Sequence, residues 1–356
     1  MQHDQDLRAG GLIGTARGEE TFLKIAELGC QSLRHRGCVV LVSREARCGT
    51  GIQCGQIDGA RRQPEQRADV RHGPIVPYRR LRLDRIRRLT CDDGAVQLIF
   101  GPDGAAPRTV DDSDLVEVYR FPALEGRGWV RSNFVMTLDG SVQGPDGRSG
   151  TINTVSDQHL FALQRALADA ILVGANTVRS EGYRAVDLEP WQMRIREQEG
   201  LAPYPTLVII SASADLDPDI AAPAEGVGGA VMIITTAGKT QDDLEPLRSA
   251  GITVVETPSA ALDLSQIVDQ LAGTGLPRLL CEGGPRLHND LLAAGVVDEV
   301  CLTLAPVVVG GQGLRPTSGA ALPEPSDLQL HHVLYADDGA LFTSYRLSSH
   351  ESTLTV

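Results

Sequence analysis

The chain has 356 residues, room for two ordinary domains or one large one. Hydrophobic residues make up 42% and aromatics only 4%, so a sizeable core filled by aliphatic side chains is expected, and the net charge of −13 argues against a general nucleic-acid binder. No apolar run approaches the ~18 residues that a membrane span needs, and no apolar signal-peptide core follows the polar start, so a cytoplasmic protein is expected.

Charge is unevenly spread. Residues 1–110 hold 17 Arg and one Lys against 13 acidic residues, a surplus of +5, and the remaining 246 carry −18. The basic front could be read as a nucleic-acid arm, but it has no aromatic interleaving and no recognisable module. It holds five of the seven cysteines (Cys30, Cys38, Cys48, Cys54 and Cys91), none at C-x-x-C spacing, so neither a zinc site nor a disulfide framework is expected. Cys281 and Cys301 lie in apolar runs and are expected to be buried. Apolar runs at 23–28 and 38–42 could form a helix and a strand, whereas 63–88 is Arg-rich without apolar periodicity. Residues 1–110 thus read as a loosely structured or disordered extension, or as the product of a start codon assigned too early, and 111–356 as the folded domain.

From Asp111 onward short aliphatic runs alternate with helical patterns. Strands are expected at 130–136, 170–174, 206–211, 231–235, 252–255, 278–281, 300–305, 328–335 and 341–347. Helices are expected at 156–168 with Ser156 as N-cap, at 242–250 with Gly251 ending it, at 264–271, and at 285–294 between Pro285 and Gly295. This alternation implies a mainly parallel sheet with helices on both faces. The last strands, joined by an Asp337-Asp338-Gly339 turn, imply an antiparallel edge. Such sheets bind ligands at the carboxyl ends of their strands.

Four stretches at strand ends carry the candidate chemistry. In Leu280-Cys281-Glu282-Gly283-Gly284-Pro285 a strand meets two glycines and a helix start, which lets a backbone approach a ligand and suits a phosphate. The spacing is not the G-x-G-x-x-G dinucleotide fingerprint, and a plain tight turn is the alternative. Glu282 could hold a sugar hydroxyl or assist proton transfer, or simply meet the helix dipole. Ser132 to Gly140 ends in Asp139, either a second catalytic carboxylate or half of an ordinary Asp-Gly turn. In Ile171 to Arg179, Gly174 permits close approach and Thr177 offers a hydroxyl to a phosphate or amide. Val307-Val308-Val309-Gly310-Gly311 reads as a fourth strand followed by glycines. Together they point to a nucleotide site.

In order, S-N-F-V-M-T-L-D-G at 132–140, Q-R-A-L-A-D-A-I-L-V-G-A-N-T-V at 164–178, C-E-G-G-P-R-L at 281–287 and V-D-E-V-C-L-T-L-A-P-V-V-V-G-G at 297–311 resemble the reductase domain of the bifunctional riboflavin deaminase–reductases, the RibD C-terminal domain, and its stand-alone relatives. The resemblance covers roughly 120–347 and implies a three-layer, dihydrofolate-reductase-like α/β fold, usually dimeric. It also implies hydride transfer from NADPH to C1′ of the ribosylamino group of 5-amino-6-(5-phosphoribosylamino)uracil, opening the ribose into a ribityl chain. In family terms Gly283, Gly284, Pro285, Arg286 and Leu287 would meet the cofactor pyrophosphate. Val135, Thr177 and Glu181, beside Gly174, would line the nicotinamide side, and Ser213 the adenosine side. Asn133, Ser149 and Arg165 would contact substrate, Arg165 its phosphate, and Glu282 would stand at the ribose end. No metal is implied.

Two departures stand out: Asn133 replaces a Lys common in bacterial members, and Glu181-Gly182-Tyr183 replaces an Asp-Asp-Pro. The deaminase signature, H-x-E with P-C-x-x-C, is absent from 1–110, so a stand-alone reductase is expected. Alternatives are a pterin reductase of the same fold, whose substrate needs a carboxylate for its amidine edge, and a nucleotide-binding protein without turnover.

Overall fold

The computed structural model describes residues 95–347 apart from 102, 103, 105 and 125. In chain order its strands are β1 (Val96–Phe100), β2 (Arg108–Val110), β3 (Trp129–Thr137), β4 (Ala170–Gly174), β5 (Thr206–Ile210), β6 (Val231–Thr236), β7 (Thr253–Thr257), β8 (Arg278–Gly283), β9 (Glu299–Ala305), β10 (Leu328–Ala336) and β11 (Leu341–Leu347). The helices are α1 (Asp112–Tyr119), α2 (Val155–Leu167), α3 (Ala175–Glu181), α4 (Pro190–Gln198), α5 (Gln241–Ser249), α6 (Leu264–Gly273) and α7 (Pro285–Ala293). One sheet runs β2-β1-β10-β11-β9-β3-β8-β4-β5-β6-β7. From β9 to β7 every pairing is parallel, and from β9 through β11, β10 and β1 to β2 every pairing is antiparallel.

Period-two alternation along the parallel strands builds two cores. Ile171 and Val173 of β4, with Leu207 and Ile209 of β5, join the larger core under α1 to α5. Their neighbours Ala170, Leu172, Val208 and Ile210 join the smaller one under α6 and α7. Strands buried on both faces read as continuous apolar runs, which explains why these stretches are so legible. Three layers result, with helices on both faces and an antiparallel edge, as expected.

The helix ends follow local chemistry. Gly251 and Gly295 adopt φ of +85° and +67° behind α5 and α7, the left-handed conformation that suits glycine after a helix. The N-cap of α2 is Thr154, whose hydroxyl accepts from the Asp157 N–H, and not Ser156, which lies inside the first turn. At the C-terminal hairpin the Gly339 N–H donates to the Ala336 carbonyl, closing the expected Asp-Asp-Gly turn.

Two expectations need correction. The folded domain does not begin at 111: β1 pairs with β10, and β2 with β1, so the sheet already includes residues 96–100 and 108–110. Strands this short, interrupted by Gly101-Pro102-Asp103-Gly104, leave too little periodicity to be read locally. Val307 to Val309 is not a strand; β9 ends at Ala305, and Pro306 is followed by irregular backbone. The helix and strand expected at 23–28 and 38–42, and the disorder expected before residue 95, lie outside the described residues. Cys281 and Cys301 are buried and unbridged.

Candidate active site

A cavity of about 400 Å³ opens at the carboxyl ends of β3 and β8. Helix α2 gives it one wall, laying Asp157, Phe161 and Arg165 along a single face at steps of four residues. Opposite them Glu282 projects from the end of β8. The two meet as a fork: Arg165 Nε donates to Glu282 Oε1 at 2.7 Å and Nη2 to Oε2 at 2.6 Å. Tyr183, just past α3, donates its hydroxyl to Oε2 at 2.7 Å. The Arg165 guanidinium lies 4.3 Å from the Phe161 ring centroid and 5.5 Å from that of Tyr183. The Glu282 side chain is 1% exposed and that of Arg165 24%, so the carboxylate is sealed while the arginine side chain keeps part of its surface open at the cavity it lines. Burial, and then the adjacent carboxylate, push the Tyr183 phenol well above its ordinary pKa, so it stays protonated and remains a donor. For Arg165 burial opposes the charge, but Glu282 outweighs it and the guanidinium is held cationic.

The second wall is the turn into α7. Gly284 is the N-cap without any side-chain cap, and Pro285 takes the first helical position, so the Arg286 and Leu287 N–H groups find no partner within the helix. A Cβ on Gly284 would sit 2.5 Å from Thr177 Oγ1, and one on Gly283, at φ +104°, 3.2 Å from the Phe134 ring. Glycine is therefore required where the backbone passes closest to α3. A bare, uncapped helix start facing the Thr177 hydroxyl fits a dinucleotide pyrophosphate, and Val135 of β3 continues the same wall.

Most of the expected site residues come together. Asn133, Val135, Ser149, Arg165, Thr177, Glu181, Glu282, Gly284 and Pro285 all border the cavity. Glu181 accepts the Ser149 N–H at 3.2 Å, tying the loop after β3 to α3. Asn133 Oδ1 accepts from Gln164 Nε2 at 3.0 Å, so the position that often carries a Lys instead receives a neutral amide.

Others lie elsewhere. Gly174 sits behind the turn, where a Cβ would stand 3.7 Å from that of Leu287. The Leu287 side chain belongs to the smaller core, leaving only its backbone to face a ligand, and Arg286 is exposed. Ser213 is exposed outside the cavity lining, its hydroxyl accepting from the Asp215 N–H. Asp139 is also exposed and outside the lining. It accepts from the Thr137 hydroxyl at 2.6 Å, the Gly310 N–H at 2.6 Å and the Val309 N–H at 3.3 Å. These bonds, Thr137 foremost, hold its carboxyl below the ordinary range. Its position makes it a clamp on the Val309–Gly310 backbone and gives no support to the catalytic role expected of it.

Sequence reasoning missed Asp157 and Tyr183. Asp157 is 4% exposed and borders the cavity. Burial raises its pKa to about 6, opposed by the Thr303 hydroxyl and reinforced by Asp338. The spacing Asp157, Phe161, Arg165 was the available signal, but an acidic residue in a first helical turn has an ordinary explanation in the helix dipole. Tyr183 stood only as a departure from a family motif.

Comparison with known proteins fits this geometry. The RibD C-terminal domain family matches residues 128–342. A 2,5-diamino-6-ribosylamino-4(3H)-pyrimidinone 5′-phosphate reductase of Methanothermobacter thermautotrophicus is 29% identical over 206 residues, covering 56% of this chain and 88% of that protein. The riboflavin biosynthesis protein RibD of Chlamydia pneumoniae is 26% identical over 212 residues, which is 57% of this chain but only 52% of that longer protein. In structure, a pyrimidine reductase-like protein from Corynebacterium diphtheriae superposes with a TM-score of 0.56 at 25% identity, over 65% of this chain and 98% of that one. With the family matching well over half of its length, the chain belongs to the RibD C-terminal domain family.

Proposed function

We propose that the chain is an NADPH-dependent reductase of a phosphoribosylaminopyrimidine in riboflavin biosynthesis, acting on C1′ of the ribosylamino group. The observation that carries this reading is the meeting of the Arg165–Glu282–Tyr183 cluster with the uncapped start of α7 in one cavity. A nicotinamide cofactor supplies the hydride when bound. The protein's own part is to fix the acceptor carbon beside it and to exclude water. Arg165, whose side chain keeps part of its surface open at the cavity, serves as a cation for the substrate phosphate. Glu282 and Tyr183 hold that guanidinium in place, so their contribution passes through Arg165.

A homodimer is the proposed assembly; exposed Leu328, Leu330 and Tyr335 on β10, with Ile99 and Phe100 on β1, offer apolar surface for it. No helix among the described residues is long and apolar enough to cross a membrane, and the cytoplasm is the proposed location. Pterin reduction is the second reading, favoured by one observation: the buried Asp157 carboxyl in the cavity is of the kind that an amidine edge requires.

The test is loss of NADPH absorbance with purified protein, offering the phosphoribosylaminopyrimidine and dihydrofolate separately. Turnover with the pyrimidine alone is expected. Turnover with dihydrofolate instead would move the assignment to pterin reduction, and none with either would favour a nucleotide-binding protein without catalysis.

A further inference from the structure

Asp157 has no part in the arrangement above, yet it borders the cavity on the same helical face as Arg165. Among the described residues, the titratable and charged groups that bear on it are Asp338 from the β10–β11 turn and Tyr119 from α1, and Arg165 stands two turns along its own helix. Of these, only Arg165 is basic, and it is already forked onto Glu282. The Thr303 hydroxyl of β9 donates one hydrogen bond to Asp157. A carboxyl 4% exposed that meets a hydroxyl and, among the described residues, no cation costs stability, and it is tolerated most readily where a ligand supplies further donors.

The chemistry of a carboxylate selects those donors. Its two oxygens accept side by side, so it matches a planar edge bearing two adjacent N–H groups. The ring N–H and exocyclic amine of a 2-amino-4-oxopyrimidine form such an edge. A uracil presents a carbonyl oxygen where the amine would be, and that oxygen meets the carboxylate with like charge.

We propose that Asp157 reads the 2-amino edge of the substrate ring, so that a 2-amino-4-oxopyrimidine is accepted in preference to the corresponding uracil. This rests on the reading that the cavity takes a pyrimidine. It makes Asp157 a specificity-determining residue and assigns the ring end of the cavity to the Asp157 end of α2, with the phosphate end at Arg165.

Calorimetric titration of the full chain, saturated with NADPH, tests this with the bare rings 2,5,6-triamino-4-oxopyrimidine and 5,6-diaminouracil. The wild-type protein is expected to bind the triamino ring about tenfold or more tightly than the uracil. Asp157→Asn, which offers one donor and one acceptor, should abolish or invert that preference, with thermal melting confirming that the variant is folded. Equal binding of the two rings by the wild-type protein, tighter binding of the uracil, or no binding of either would overturn the proposal without any variant. So would an Asp157→Asn protein that keeps the preference. Dihydrofolate carries the same edge: binding that weakens in Asp157→Asn supports the assignment, and binding indifferent to the change counts against it. Turnover of the phosphoribosyl forms is followed separately. If neither is reduced while ring preference still follows residue 157, the reductase reading fails and the role of Asp157 stands.

Discussion

Two guanidinium–carboxylate pairs occupy neighbouring parts of the sheet, Arg165–Glu282 at the mouth of the cavity and Arg131–Glu299 where β3 pairs with β9. Chemically they are alike. Arg131 donates from Nε to Glu299 Oε2 at 2.9 Å and from Nη1 to the Tyr119 carbonyl at 2.7 Å, and Ser344 donates its hydroxyl to Oε1 at 2.6 Å. Both side chains are 0% exposed, and the guanidinium lies 4.2 Å from the Phe121 ring centroid. Every neighbour of this pair is protein. Arg165 differs in one respect, a quarter of its side-chain surface remaining open to a cavity. The difference teaches that an ion pair of given geometry is a structural element or a ligand-binding one according to what its cation can still reach. The dry pair holds β3 against β9 and β11, whereas the open pair borders a cavity, where the proposed function places the substrate phosphate.

The sharpest way to break this contrast is Glu299→Gln. It leaves Arg131 charged in a dry core, and unfolding in urea should show a loss of about 3–5 kcal/mol; a loss under ~1 kcal/mol would mean that the pair is not structural. The same region predicts the direction of acid sensitivity. Burial alone would raise the Glu299 pKa, but Arg131, Arg346 and the Ser344 hydroxyl pull it down to about 2 from an ordinary 4.5. Burial first of all lowers that of His332 to about 3 from 6.5. Both folded-state values are depressed, so as pH falls the unfolded chain takes up protons that the folded chain refuses, and stability drops. The decline should begin below about pH 6.5 through His332 and steepen below about pH 4.5 through Glu299. The raised Asp157 carboxyl works in the opposite direction, adding stability as pH falls through about 6, so the comparison is made in Asp157→Asn; urea midpoints of that variant that stay flat from pH 7 to 3 would contradict both.

Glu282→Gln should behave oppositely. Turnover should fall by more than about tenfold, a barrier increase above ~1.4 kcal/mol, while the urea midpoint moves far less than in Glu299→Gln because Arg165 can turn toward the water of the cavity. A protein that is destabilised but still active would reverse the two roles. Tyr183→Phe removes one of the three hydrogen bonds on Glu282, and kcat/KM should fall by roughly twofold to tenfold, on the order of 0.5–1.5 kcal/mol. An unchanged value would separate Tyr183 from the function of the cluster. The smallest effect is expected from Asp139→Asn, with turnover within about twofold of wild type and only a slight lowering of the urea midpoint as the Val309–Gly310 backbone loosens. A collapse of turnover would restore Asp139 as a catalytic residue.

How much of this could be read from the sequence depended on whether the signal was local. The strand-to-helix turn at Gly283-Gly284-Pro285 was visible because glycine and proline act through their own backbones. Strands β4 to β6 and β8 were visible because both faces are buried and their apolar runs are unbroken. Strands β1 and β2 were not, since three to five residues acquire their identity only by pairing with β10. Val307 to Val309 erred in the other direction: its composition suits a strand, but after Pro306 no neighbouring strand takes it up. Within the site, Arg165 and Glu282 were marked individually by family resemblance, yet nothing in either motif announced that 117 residues of separation would close into a fork. Asp157 remained hidden because an acid in a first helical turn is common, and only the burial of that turn beside a cavity distinguishes it.

The most direct test of the account is a single turnover with NADPH deuterated at the transferable C4 position, followed by mass analysis of the pyrimidine product. The account predicts one deuterium, located at C1′ of a newly formed ribityl chain. Oxidised cofactor accompanied by an unlabelled product, or label anywhere on the pyrimidine ring, would contradict it.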